Sequence, residues 1–216
     1  MAGTMALLRQ AGWELHCLNL ANGGRGSTRI PAAELKRIRA SEARQAAEIL
    51  GAHWHPSLCN DLEILYTLPL LRRVAAVIRE VRPAMVLTHP PVDYMEDHTN
   101  ACRLAVTAAF TREMPNFKTT PSRRPWSGPV VVYHCVPHGL CDPLRRPMIP
   151  DLFVNTASVH AIQQRALPAP ARPPTWLESR PGLDSLPPPP HTPPPPVLRA
   201  ARPRRTPAPA RATPHP

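Results

Sequence analysis

Along the first 160 residues the spacing of apolar positions changes in a regular way, and the changes predict alternating helices and strands. Residues 3–11 place Met5, Leu7 and Leu8 on a short helix that Gly12 stops. Trp13 to Leu20 alternates in part, through Trp13, Leu15 and Cys17, and reads as a strand. Ala21 to Ser27 is a loop rich in residues that tolerate positive φ. From Ala32 to Leu50, Leu35, Ile38, Ala46, Ile49 and Leu50 recur at helical spacing, with Gly51 as the stop. A short strand follows around His53 to Leu58. Leu68 to Arg82 puts Leu71, Val74, Ala75, Ile78 and Val81 on one helix face, and Pro83 ends it. Ala84 to Thr88 is a continuous apolar strand of the kind buried in parallel sheets. A helix over 99–112, a strand over Gly128 to Cys135 and another over Leu152 to Val154 complete the series.

This alternation predicts an α/β fold, a Rossmann-like three-layer domain with a mostly parallel sheet. Ligands in such folds sit beyond the carboxyl ends of the strands. The loops 21–31, 59–63 and 88–98 occupy that edge. A doubly wound unit opens on a strand, whereas this chain opens on a helix, so its first strand is expected to be missing.

Composition divides the chain into a body, 1–166, and a tail, 167–216. The body holds 14 of the 32 prolines; the 50 tail residues hold the other 18, including Pro187–Pro190 and Pro193–Pro196. Proline lacks the amide donor and fixes φ, so residues 187–216 are expected to be disordered or polyproline II. Seven tail arginines against Glu178 and Asp184 carry +5 of the net charge of +11, leaving +6 on the body. With 24 arginines against two lysines, the bias fits GC-rich coding DNA better than a specific nucleic-acid surface. The tail is read either as a solvated basic extension or as the product of a shifted reading frame. The five cysteines (17, 59, 102, 135 and 141) are odd in number and show no CxxC spacing, which argues against a disulfide framework or a structural zinc site and for a reducing compartment. No apolar run reaches the roughly 18 residues of a membrane span, and no signal peptide is apparent. The expected location is cytoplasmic.

Candidate chemistry concentrates in Asp93-Tyr94-Met95-Glu96-Asp97-His98, between a strand and a helix. Carboxylates ending in a histidine at such a junction offer metal ligands and acid–base groups. The same residues also serve as a turn (Asp93) and a helix cap (Asp97). Arg39 sits three residues before Glu42, the spacing of a surface ion pair on a helix. Asn22 and Asp61 lie on the other two edge loops, and His134 and His138 near a late strand.

The order of these segments identifies a family. Asn22-Gly23-Gly24 is followed by Arg39-Ala40-Ser41-Glu42, Ala46 to Gly51, Asn60-Asp61-Leu62, Arg82-Pro83 and Thr88 to His98. This series, over about residues 1–155, resembles the LmbE-like or PIG-L family of zinc-dependent N-deacetylases. A weaker trace continues to Trp176-Leu177-Glu178 and Gly182 to Ser185. The resemblance implies a Rossmann-like hydrolase that removes an acetyl group from small N-acetylated sugars or glycosides. It implies Zn2+ as cofactor, His98 as a metal ligand, Asp93 and Asp97 as catalytic carboxylates, and Arg39, Asn22 and Asp61 as substrate-binding residues. The family's other two ligands and its general base come from a His-Pro-Asp-Asp motif expected upstream of Met1. Met95 stands where some members carry a catalytic histidine. The expectation is therefore weak zinc binding and impaired deacetylation. A non-catalytic α/β ligand-binding module, a basic interaction protein using the tail, and an inactive fragment remain alternatives.

Overall fold

A computed structural model describes residues 1–167; the Pro-rich tail beyond Leu167 lies outside the described residues, as do the motif traces at 176–185. The elements run α1 (Ala2–Gln10), β1 (Leu15–Leu18), α2 (Ala32–Leu50), β2 (Ala52–His55), α3 (Leu68–Val81), β3 (Met85–Thr88), α4 (Glu96–Phe110), β4 (Val131–His134) and α5 (His160–Ala166). Short 3-10 turns occupy Thr111–Glu113, His138–Leu140 and Ala157–Val159.

Local chemistry sets the helix ends. Gly51 closes α2 at φ +65, a conformation that only glycine adopts without strain. Pro69 lies in the first turn of α3, where a missing N–H costs nothing. Arg82 caps the other end of α3 in a left-handed conformation, because Pro83 bars the residue before it from continuing the helix. α4 starts at Glu96, three residues earlier than expected. Its first turn carries Glu96 and Asp97, whose negative charge suits the amino end of a helix.

β1 pairs in parallel with β2, Leu15 opposite Ala52, and the isolated bridge Ala21–Cys59 prolongs that contact. β3 pairs in parallel with β4, Met85 opposite Val131. Among the described residues these are two separate two-stranded sheets, where one continuous sheet was expected. The α/β class and the parallel direction stand as read.

The main core lies between α3 and α4, from Leu70, Leu71, Val74, Ala75, Ala101, Leu104 and Ala108, with Ile64 beneath. A second, smaller core joins α1, the end of α2 and α5 through Ala6, Leu50, Val159 and Ala166. Gly3 admits this packing, since a Cβ there would stand 2.6 Å from Thr156. α5 was not anticipated: its apolar positions, Ile162 and Ala166, are too few to give a period. The strand expected at Leu152–Val154 is instead irregular and exposed. Its apolar side chains have no neighbouring ladder, so a β-like composition goes unused there.

Arg79 ties α3 to the chain after α4. Its buried guanidinium donates to the carbonyls of Thr111 (3.0 Å), Met114 (2.7 Å) and Arg123 (3.2 Å). That clamp fixes the segment leading into β4.

Candidate metal and substrate site

At the carboxyl end of β3 the chain passes through His89 and two prolines into a tight turn at Asp93. Asp93 Oδ1 accepts from the Met95 backbone N–H at 3.0 Å, which forms the turn. The same oxygen lies 3.0 Å from His98 Nδ1 in the first turns of α4. With the proton on Nδ1, His98 donates to Asp93 and its Nε2 lone pair is free for a metal ion, the usual carboxylate–histidine arrangement. The Asp93 side chain is only 1% exposed, so this geometry is held rigidly.

The other Asp93 oxygen, Oδ2, is buried and has no hydrogen-bond partner. A buried, unpartnered carboxylate oxygen costs about 1–3 kcal/mol or more unless a cation or a proton meets it. His89, Asp93 and His98 can each present one donor atom so that all three lie within 4.8 Å of one another. The donor set and the orphaned oxygen both fit a small divalent cation. The His89 and His98 rings stack at 4.0 Å with planes 6° apart, so their lone pairs lie in nearly parallel planes; His89 must turn to share an ion with His98. Burial, and then the His98 charge, lower the pKa of His89, with Asp93 opposing. Tyr94 meets the His98 ring edge-on at 5.8 Å. Burial, and then Asp93, raise its phenol pKa.

Asn22, Asp61 and Arg39 come together around a neighbouring loop. Asn22 donates to Asn60 Oδ1 at 2.9 Å and accepts from the Gly24 N–H at 3.1 Å. Asp61 accepts from the backbone N–H groups of Gly23 and Arg25, both at 3.0 Å. Arg39 donates to Glu42 at 2.8 Å while its stem lies on Gly23, where a Cβ would stand 2.7 Å from Arg39 Cγ. These three residues are spent largely on shaping residues 22–25. Asp97 connects this group to the His98 turn: buried, it accepts from the Leu62 N–H at 2.8 Å. Leu62 is held at φ +62, next to Asp61.

His134 donates through Nδ1 to the His89 carbonyl at 2.8 Å, supporting the site from β4, whereas His138 is exposed on a 3-10 turn. Sequence reasoning did not single out His89 or Tyr94. The available signal was the position of His89 as the first residue beyond β3, on the edge where ligands gather.

Parallel strand pairs flanked by helices define an α/β protein, with a histidine–carboxylate group beyond the carboxyl end of β3. The chain belongs to the PIG-L family, described as GlcNAc-PI de-N-acetylase, whose model matches residues 1–110. It is 32% identical over 165 residues to 4-oxalmesaconate hydratase of Pseudomonas putida, a match that takes in 73% of this chain and 62% of that protein. The chain thus spans 62% of the length of this curated relative. Among solved structures, GalB, the 4-carboxy-2-hydroxymuconate hydratase of Pseudomonas putida KT2440, superposes with TM-score 0.65 at 30% identity, over 77% of this chain and 70% of that one. The N,N'-diacetylchitobiose deacetylase of Pyrococcus horikoshii superposes with TM-score 0.64 at 22% identity, over 77% and 62%, and shares the fold. Among the described residues no helix is long and apolar enough to cross a membrane.

Proposed function

We propose that this chain acts as a metal-dependent enzyme that adds water to a small substrate, with Zn2+ held at His98. The observation that carries this reading is Asp93, which orients His98 through one oxygen and keeps a buried, unpartnered oxygen beside the same ring. His98 supplies Nε2, Asp93 the free carboxylate oxygen, and His89 a further donor after a ring turn. When bound there, zinc lowers the pKa of a water and polarises a carbonyl. Asp93 holds the His98 tautomer through its bonded oxygen, so that Nε2 stays available as a ligand. Asp97 holds the 60–63 loop in place, and Asn22, Asp61 and Arg39 shape the 22–25 loop that faces the substrate. Tyr94 is half-exposed beside the site, and partial burial and then Asp93 raise its phenol pKa, so it stays protonated and able to donate a hydrogen bond.

Two substrate classes follow. The family description points to N-acetylated amino sugars, losing acetate to leave a free amine. The relatives at 30–32% identity are hydratases of carboxylated unsaturated acids, which favours a second reading as a hydratase. Met95 leans toward the second, since a thioether cannot protonate a departing amine. Five free thiols suit a reducing, cytoplasmic setting. The test incubates purified zinc-loaded protein with an N-acetylglucosaminyl glycoside, read by amine release, and with 4-oxalmesaconate, read by loss of its conjugated absorbance. Zinc-dependent turnover of one of them, abolished by His98→Ala, supports the proposal. Turnover of neither, or turnover indifferent to chelator, refutes it.

A further inference from the structure

The β1–β2 pair carries a second group of ligand-type side chains, none of which belongs to the His98 site. Parallel register sets His16 opposite His53 and Leu18 opposite His55. Because side chains alternate along a strand, His16, His53 and His55 share one face, joined by Glu14 from just before β1. Trp54 points to the other face, where Arg44 of α2 covers its ring at 4.6 Å.

Glu14 Oε1 lies 3.2 Å from His16 Nε2 and 3.3 Å from His53 Nε2. All three donor atoms lie within 4.8 Å of one another. A tetrahedral zinc with bonds of about 2.0–2.1 Å holds neighbouring donor atoms about 3.3–3.4 Å apart. Two of the three edges already have that length. The His16 and His53 rings stack, with centroids 4.9 Å apart and planes inclined at 29°, so a small ring turn brings both Nε2 lone pairs onto one ion. Behind them, His16 Nδ1 is 2.9 Å from His55 Nε2. If His16 donates to His55, its Nε2 lone pair faces the Glu14 oxygen, and two acceptors at that distance repel unless a cation lies between them. If the chain of protons runs the other way, His16 donates to Glu14 and no cation is needed. Metal binding separates the two arrangements.

We propose that Glu14, His16 and His53 form a second binding site for a late first-row divalent cation, Zn2+ above all, with His55 as a positioning residue that orients His16. Imidazole and carboxylate donors select this class of ion over magnesium or calcium. The Glu14 and His53 side chains are 72% and 66% exposed, so the ion enters directly from solvent and water completes its coordination.

The test titrates the full chain with ZnCl2 by calorimetry, and with CoCl2 by the visible absorption of tetrahedral Co2+. Wild type, His98→Ala, a Glu14→Gln/His53→Ala double variant and His55→Ala are compared. The substituted β1–β2 side chains are partly or largely exposed, and circular dichroism confirms that each variant folds. The expected result is that His98→Ala keeps one equivalent of zinc that the double variant lacks. His55→Ala should keep the Co2+ spectrum but weaken this equivalent about 10–100-fold. The inference is overturned if the double variant binds as many equivalents as wild type, or if His98→Ala removes all binding. Because the two sites are disabled separately, failure here leaves the His98 reading standing, and the reverse.

Discussion

At the scale of single residues, Asp93 does the most that sequence alone could not show. That it stands before His98 was legible; that it is buried, with one oxygen bonded and one orphaned, required the fold. Asp93→Asn keeps an acceptor for His98 and Met95 but removes the charge. It should weaken zinc binding at this site about 10–100-fold, while thermal unfolding shifts by no more than about 1–3 kcal/mol. His89 gives a pH prediction. Burial and the His98 charge hold its folded pKa below that of the unfolded chain, about 6.5. The native state therefore binds fewer protons, and the contribution of the neutral ring is complete above about pH 6.5. It declines as pH falls through that value toward the folded pKa. Melting of chelator-treated protein should show a stability loss over this window that His89→Gln reduces. The family resemblance implies a catalytic Asp97, and its carboxylate is engaged by the Leu62 N–H from a loop 35 residues earlier. No local pattern encodes such a long-range bond.

At the scale of elements, α2 matched its sequence reading end to end, and α1 and α3 nearly so, because period and stop signals agree within each. The strands came out shorter than read, four residues each, since alternation continues past the last ladder bond. α5 and Leu152–Val154 were misread for one reason: composition without a packing partner decides little. α5 forms because Val159 and Ala166 find α1 and α2, whereas Leu152–Val154 find no ladder. Arg79 was invisible as a structural residue. Arg79→Met should orphan buried carbonyls after α4 and cost on the order of 3 kcal/mol, seen as a lower denaturation midpoint. Arg79→Lys should recover little of it, because an ammonium cannot reproduce the guanidinium fork.

At the scale of the molecule, the class of fold was legible from the alternation of periods, and the loops after the strands pointed to the edge where His89, Asp93 and His98 gather. The division of the strands into two pairs was not, since pairing depends on contacts between distant segments. Each strand is hydrogen-bonded along one side only among the described residues. Half of its amides should therefore exchange with deuterium much faster than those of α3 and α4, which exchange mass spectrometry can read. The central claim is that His98, set by Asp93, holds the ion that activates water. The most direct measurement is the zinc stoichiometry of the Glu14→Gln/His53→Ala protein, with and without the further change His98→Ala. The account predicts one equivalent, lost when His98 is replaced. Zinc retained at full affinity without His98 would contradict it.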